Sequence, residues 1–215
     1  MASLRIIIAD DHPLFRDALR LTIAQALPEA AIAEADSFDT LRATLEREPD
    51  TDLVLLDLKM PGMQGLSGLL FMRAQFAAVP VAIISAEEQE SVVHRALDLG
   101  AAGYIAKSTP ADGIVEALRV LLGGGMWIPE KLGKRGGDTA LAMRLARLTP
   151  QQIRVLMMLS EGHQNKRIAH ALGVSEATAK AHVSAILERL EVENRTQAVI
   201  LAREIAALPE PTPPT

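Results

Sequence analysis

Residues 52–65 read DLVLLDLKMPGMQG, an apolar run that ends at Asp57 and passes into a turn-forming segment. Similar apolar runs alternate with amphipathic stretches along the first half of the chain. Strands are predicted near 4–9, 31–36, 52–57, 80–85 and 102–106, and helices near 13–27, 38–48, 65–77, 88–99 and 111–123. Short apolar strands separated by helices are typical of a parallel sheet buried on both faces. The sequence therefore predicts an α/β fold with a doubly wound, five-stranded parallel sheet.

Polar side chains stand at or just past the ends of four of these strands. Asp10 and Asp11 follow the first strand, Asp57 ends the third, Ser85 ends the fourth and Lys107 follows the fifth. Ligand sites in open parallel sheets lie at this edge. Three carboxylates meeting without a cation would repel, whereas Mg²⁺ prefers carboxylate and phosphate oxygens. We therefore predict a magnesium-dependent site that phosphorylates Asp57, with Lys107 supplying positive charge and Ser85 a hydroxyl donor.

Each of these features has a plainer interpretation when it is taken alone. Asp11-His12-Pro13 would serve as the start of a helix, with proline in its first turn. A lysine near a strand end is more often a solvated charge, and a serine there is usually part of a turn. The conjunction of all of them, in order and at the ends of separate strands, favours the phosphorylation site.

Length, charge and cysteine content limit the other possibilities. The 215 residues suffice for two modest domains, and the absence of cysteine excludes disulfides, a thiol nucleophile and a cysteine metal site. Neither a secretory signal nor an uncharged apolar stretch of about 18 residues is present, so we expect a cytoplasmic protein without a membrane partner. The net charge of −5 combines −8 over residues 1–125 with +4 over residues 126–208 and Glu210. The basic second half is consistent with a polyanionic partner but is too weakly charged to establish one.

Two segments outside the cores have compositions of their own. Residues 125–147 mix glycine pairs, a proline and basic residues, which suits a mobile linker with a short helix near 139–146. Trp127 could pack against either domain, most simply as an anchor for this linker. Residues 209–215, PEPTPPT, are predicted to form an extended, disordered tail.

Residues 148–208 predict a small all-α domain of four helices, near 150–161, 165–171, 175–190 and 194–206. Gly173 lies between the second and third helices, where its freedom to adopt a positive φ lets them cross steeply. This is a helix-turn-helix pattern, whose second helix enters the DNA major groove. The candidate DNA-contacting residues are Lys166, Ser175, Thr178, Lys180, Ala181, His182 and Ser184.

These residue types suit two different tasks at a DNA surface. Lysines and hydroxyls at a helix start can hold phosphates, whereas Lys180 can donate to guanine and Ala181 can touch a thymine methyl group. The alternative is a helical protein-interaction module whose charged residues form an ordinary solvated face.

The first half resembles a response-regulator receiver domain over residues 1–124. The motifs that carry the resemblance are Asp10-Asp11, DLKMPGMQG around Asp57, Ser85-Ala86 and Tyr104-x-x-Lys107. The resemblance implies a flavodoxin-like sheet and an Asp57 that accepts a phosphoryl group from a sensor histidine kinase. It also implies that Asp10, Asp11 and Asp57 hold Mg²⁺, with Asp11 as the more direct ligand of the pair, and that Lys107 and Ser85 contact the phosphoryl oxygens.

The second half resembles a LuxR-type DNA-binding domain, and the two halves together resemble the NarL/FixJ family of transcriptional response regulators. The implied partners are double-stranded DNA, a histidine kinase, a second copy of the chain after phosphorylation, and RNA polymerase as a further candidate. The only implied catalysis is phosphorylation and dephosphorylation of the chain's own aspartate. Gln151-Gln152, Arg167 and Ala179 depart from the common Arg-Glu, Glu and Val, which leaves the DNA sequence and some capping contacts open.

The resemblance also suggests how phosphorylation reaches DNA. Our hypothesis is that Ser85 moves inward and Tyr104 follows, which remodels the surface of the fourth helix, fifth strand and fifth helix. Docking of the second domain would weaken, or dimerisation would be favoured, and the recognition helix would be exposed. Lys59 and Glu87, two residues beyond Asp57 and Ser85, are expected to tune the lifetime of the phosphoryl group.

Two other function classes compete with this interpretation. One is a magnesium phosphatase or phosphotransferase that acts on a separate substrate, although no substrate-binding segment is recognisable. The other is a phosphorylation-switched adaptor whose C-terminal helices bind another protein.

Overall fold

The structure is a computed structural model that describes residues 4–129 and 139–206. In its first part, five strands alternate with five helices. They are β1 (Arg5–Ala9), α1 (Pro13–Ala26), β2 (Ala31–Ala35), α2 (Phe38–Arg47), β3 (Leu53–Leu56), α3 (Ser67–Gln75), β4 (Val81–Ser85), α4 (Glu90–Asp98), β5 (Gly103–Ala106) and α5 (Ala111–Leu122). The strands form one parallel sheet in the order β2-β1-β3-β4-β5. The predicted doubly wound, five-stranded sheet is confirmed.

The inner positions of the central strands are apolar because helices cover both faces of the sheet. Along β1, Ile6 and Ile8 pack with the buried residues of α1 and α5, whereas Ile7 packs with those of α2, α3 and α4. All three isoleucines are fully buried. Alternate residues of one strand thus stabilise opposite layers, as the strand geometry requires.

Local signals define the helix ends. Ser37 accepts a hydrogen bond from the Thr40 amide, and the Thr40 hydroxyl accepts one from the Ser37 amide, so α2 begins with a capping box. Gly100, which follows α4, has a φ of +90°. Ser37 thus starts α2, and Gly100 follows the end of α4.

The second part of the chain is entirely helical within the residues described. Its helices are α6 (Thr139–Ala146), α7 (Pro150–Ser160), α8 (Asn165–Leu172), α9 (Glu176–Leu190) and α10 (Arg195–Ala206). Gly173, between α8 and α9, has the predicted positive φ, at +65°. Gln152 forms a capping box with Thr149 and also accepts a hydrogen bond from Arg189. The glutamine at this position therefore preserves the cap.

Trp127 belongs structurally to the first domain. Its carbonyl oxygen accepts a hydrogen bond from the Tyr104 amide at 2.9 Å, and its amide donates to Ala102 at 3.4 Å. A Cβ atom on Gly103 would lie 2.8 Å from the Trp127 carbonyl oxygen, so glycine is required for this approach. The start of the linker is thus anchored along β5, which resolves the choice that the sequence left open. The rest of the linker over 130–138 and the predicted tail over 209–215 lie outside the described residues.

The two domains dock through α3 of the first and α6 and α7 of the second. Leu70 and Phe71 of α3 and Ile153 of α7 are buried in one continuous apolar cluster. At the edge of this interface, the Leu66 amide donates to the Ile205 carbonyl at 3.4 Å, and the Arg95 guanidinium donates to the Glu204 carbonyl. The first domain thereby supplies partners for carbonyls in the last turn of α10.

Over residues 4–129 and 139–206, no helix combines the length and the apolar character that a membrane crossing requires.

Candidate functional site

The ends of three strands bring two carboxylates and one ammonium group into direct contact. Asp10 follows β1 and Asp57 follows β3, and both are almost completely buried. The Lys107 Nζ atom, from the residue after β5, lies 2.7 Å from Asp10 Oδ2 and 2.8 Å from Asp57 Oδ2. Backbone hydrogen bonds hold Asp57 and Lys107 at the sheet edge. The Asp57 amide donates to the Ala9 carbonyl, and the Lys107 amide donates to the Ser85 carbonyl. The structure therefore brings these three predicted site residues together.

Burial and charge set the protonation behaviour of the cluster. Burial raises the pKa of Asp57, Lys107 opposes this shift, and the neighbouring Asp10 charge adds to it, so the pKa lies above the usual 3.8. Burial alone would lower the pKa of Lys107, but its hydrogen bonds to Asp10 and Asp57 outweigh burial and raise it. Lys107 is therefore held in its charged form and favours ionised carboxylates beside it.

The acidic group has the composition of a divalent-cation site. Oxygens of Asp10, Asp11 and Asp57 and a nitrogen of His12 all lie within 4.8 Å of one another. Asp11 Oδ1 is a buried atom, and His12 Nδ1 lies 2.8 Å from it. Clustered carboxylate oxygens of this kind fit Mg²⁺, the ion that the sequence predicts.

His12 is the residue of this cluster that sequence reasoning missed. Its Nδ1 atom lies 2.8 Å from Asp11 Oδ1, 3.2 Å from Asp10 Oδ1 and 3.9 Å from Asp57 Oδ2. In the sequence, His12 is explained by the start of a helix before Pro13. The available signal was its position directly after the acidic pair, because imidazole is itself a metal ligand and a titratable group.

Ser85 and Tyr104 meet at the loop between β4 and α4. The Ser85 hydroxyl accepts from the Glu87 amide at 3.2 Å, and the Tyr104 hydroxyl donates to the Glu87 carbonyl at 2.5 Å. Both side chains are buried, and burial raises the pKa of Tyr104 above its usual range. The expected inward movement of Tyr104 is not available from this conformation, because its ring has no exposed surface left to bury. What can still change is the partner of its hydroxyl group.

The predicted DNA-contacting residues are accessible at the start of α9 and on α8. Ser175 caps α9 by accepting from the Thr178 amide at 3.0 Å. His182 is half-buried, and the other predicted contacts are exposed: Lys166, Ser175, Thr178, Lys180, Ala181 and Ser184.

The exposure of α9 corrects one expectation from the sequence. We expected docking of the second domain to hide the recognition helix until phosphorylation exposed it. In the structure the domains are docked and the start of α9 is nevertheless open, because docking uses α6, α7 and the end of α10. Undocking is therefore not needed to uncover this helix.

Comparison with known proteins identifies both halves of the chain. The response regulator receiver domain matches residues 6–119, and the luxR family of bacterial regulatory proteins matches residues 146–202. The chain is 39% identical over 211 residues to the glycerol metabolism activator of Pseudomonas putida, covering 94% of this chain and 96% of the relative. It is 30% identical over 201 residues to the nitrate/nitrite response regulator NarL of Escherichia coli K12, covering 91% and 93%.

Solved structures agree with these assignments at the level of the fold. A complex of the two-component response regulator RcsB with DNA is 22% identical to this chain, with a TM-score of 0.56. The match covers 95% of this chain and 100% of the RcsB chain.

Proposed function

The chain belongs to the NarL/FixJ-type two-component response regulators, DNA-binding proteins that join a receiver to a LuxR-type helix-turn-helix, and we propose that phosphorylation of Asp57 controls its action at promoters. One observation carries this proposal. The Lys107 ammonium group lies between the buried carboxylates of Asp10 and Asp57, within 2.8 Å of an oxygen of each. A fixed cation beside a buried nucleophile suits the transfer of a negatively charged phosphoryl group.

The proposed transfer needs no substrate pocket beyond the mouth of this site. A carboxylate oxygen of Asp57 attacks the phosphorus of a kinase phosphohistidine. A new O–P bond forms, the P–N bond breaks, and its electron pair leaves with the imidazole. Asp10, Asp11 and Asp57 would hold Mg²⁺, which supplies positive charge against the phosphoryl oxygens. Lys107, oriented by Asp10, and the Ser85 hydroxyl would donate to those oxygens.

Glu87 provides a route from this site to the domain interface. Its amide donates to Ser85, and its carbonyl accepts from Tyr104. If Ser85 turns toward the phosphoryl group, this loop loses one of its bonds and can shift with α4. Arg95, on α4, contacts the end of α10. We propose that phosphorylation acts through this chain of contacts on domain docking or dimerisation, and DNA binding must then favour the active state in return.

The proposed DNA contacts divide by task. Lys180, Ala181, His182 and Ser184 would face bases in the major groove, and Lys166, Ser175 and Thr178 would lie near phosphates. Two copies would read paired half-sites about one helical turn apart. RNA polymerase is a further proposed partner, and we place the protein in the cytoplasm, where DNA is accessible.

The test is selection of genomic DNA fragments by the protein with and without acetyl phosphate and Mg²⁺, with Asp57→Ala in parallel. We expect enrichment that rises on phosphorylation and is lost in the variant. Specific DNA binding that is the same with and without acetyl phosphate would reject control by phosphorylation but would still support a DNA-binding function. Absence of specific binding would favour a protein adaptor, and turnover of small phosphoesters would favour an enzyme.

A further inference from the structure

We propose that His12 Nδ1 is a fourth protein ligand of the receiver metal site and gives this site a preference for divalent transition ions over Mg²⁺. The inference rests on the proposed function, because it concerns the cation at the Asp57 site. It adds a nitrogen donor to the three carboxylates that the sequence predicts.

The positions of the four donor atoms support this assignment. His12 Nδ1 lies 2.8 Å, 3.2 Å and 3.9 Å from single oxygens of Asp11, Asp10 and Asp57. A six-coordinate ion with ligand bonds of about 2.1 Å has adjacent donors about 3 Å apart and opposite donors about 4.2 Å apart. The three observed separations lie close to or within this span, so one ion can be reached by the imidazole and the carboxylates with small adjustments.

The backbone explains why the ring lies here. His12 is the N-cap residue of α1 with extended φ and ψ of −90° and 103°, and its amide donates to Asp10 Oδ1 at 2.8 Å. Its side chain is 63% exposed. Surrounding packing therefore does not enclose the ring, and Nδ1 can exchange its carboxylate contacts for a metal bond when the ring proton lies on Nε2 instead.

The donor set then determines the preference among ions. Mg²⁺ is a hard ion that takes oxygen ligands and keeps several waters, so it gains little from an imidazole in place of a water. First-row transition ions such as Co²⁺ accept imidazole nitrogen readily. A receiver site made of carboxylates alone lacks this source of discrimination.

The test compares Co²⁺ and Mg²⁺ binding to the full chain by calorimetric titration of the metal-free protein. His12→Ala should lose about tenfold or more in Co²⁺ affinity while its Mg²⁺ affinity stays within about twofold. His170→Ala, which removes an exposed imidazole from α8, is the matched control and should change neither affinity. The proton spectrum of the Co²⁺-loaded wild type should contain strongly shifted imidazole signals that His12→Ala lacks.

Two results would overturn the proposal. Unchanged Co²⁺ affinity in His12→Ala would show that the imidazole only hydrogen-bonds the carboxylates, and an equal loss for both ions would show that it acts on the site without selecting a metal. Failure of the proposed function gives a different pattern. In that case the wild type would still lose Co²⁺ affinity selectively on removal of His12. Asp57 would nevertheless remain unmodified in the presence of acetyl phosphate and Mg²⁺.

Discussion

At Asp57, burial and the Asp10 charge oppose ionisation, and Lys107 favours it. The net result is a pKa above the ordinary 3.8. A carboxyl group with a higher pKa in the folded than in the unfolded state stabilises the fold only while it is protonated. This contribution is fully present below the unfolded pKa and is lost as the pH rises through the folded pKa. In the metal-free protein the Asp57 charge is therefore a cost at neutral pH.

The first prediction concerns stability without divalent ions. In EDTA at pH 7, Asp57→Asn should be more stable than the wild type, because the variant buries no carboxylate charge there. The advantage should shrink as the pH falls through the folded pKa toward 3.8. Chemical denaturation across this range measures both effects. Saturating Mg²⁺ should reverse the order, and a variant less stable than the wild type at pH 7 without metal would contradict the prediction.

The second prediction concerns the lifetime of the phosphoryl group. Lys59 is exposed and Glu87 half-buried, each two residues past a site residue. Replacing both with alanine should change the dephosphorylation rate several-fold, since they border the path of the attacking water. The rate is measured by loss of label after the phosphodonor is removed. Glu116→Ala, on the exposed side of α5, is the control, and an unchanged rate in the double variant would exclude a tuning role.

Residue patterns predicted most of this site, and geometry explains why. Asp10, Asp57 and Lys107 end or follow parallel strands, and the carboxyl ends of such strands share one edge, so their sequence positions imply proximity. The sequence position of His12 does not imply in the same way that its side chain lies in the site. Its place before Pro13 is equally well explained by the start of α1, and the direction of its ring depends on side-chain rotation, which the pattern does not specify.

At the scale of elements, the β4–α4 loop holds the hydroxyls of Ser85 and Tyr104. The third prediction uses Tyr104→Phe, which keeps the buried ring and removes the bond to the Glu87 carbonyl. Phosphorylation should proceed, but the gain in DNA affinity on phosphorylation should fall several-fold, because phenylalanine has no hydroxyl group to bond to the β4–α4 loop. Ser85→Ala should have the same effect. Titration of labelled operator with and without acetyl phosphate measures the gain, and its full retention in both variants would disprove the relay.

The fourth prediction separates two lysines of the helix-turn-helix. Lys180→Ala on α9 should cost about 1–3 kcal/mol at the preferred sequence and relax specificity there. Lys166→Ala on α8 should weaken binding to all sequences similarly and lower the salt-dependence slope by about 1. Each variant controls for the other in affinity measurements at several salt concentrations. Equal effects of the two variants on sequence specificity would show that Lys180 does not read bases while Lys166 contacts only the backbone.

The strands and helices and their order were predictable because the spacing of apolar residues and the presence of capping residues are local properties of the sequence. The five strands, the short helix over 139–146 and the turn at Gly173 follow from them. The docking of α3 on α7 was not predictable. Arg95 and Glu204 lie 109 residues apart, and a half-buried arginine has no sequence pattern that selects one backbone carbonyl as its partner.

At the scale of the whole molecule, two receiver groups bind the end of α10. The fifth prediction is that Arg95→Ala loosens domain docking by about 1 kcal/mol, because the Glu204 carbonyl loses a charged donor. Small-angle scattering of the unphosphorylated chain should show a larger mean size. Arg119→Ala, on α5 at the other face of the sheet, is the matched control. Unchanged scattering in Arg95→Ala would show that apolar packing alone sets the docking.

The bonds between Trp127 and β5 also fix how far apart the two domains can move. With Trp127 attached to the receiver and α6 beginning at Thr139, only the residues between them tether the second domain. A short tether keeps its ends at a local concentration on the order of millimolar. An interface with an intrinsic dissociation constant in that range would therefore be close to half occupied within one molecule. A tenfold weakening of the interface, about 1.4 kcal/mol, is then enough to convert a half-closed population into a mostly open one.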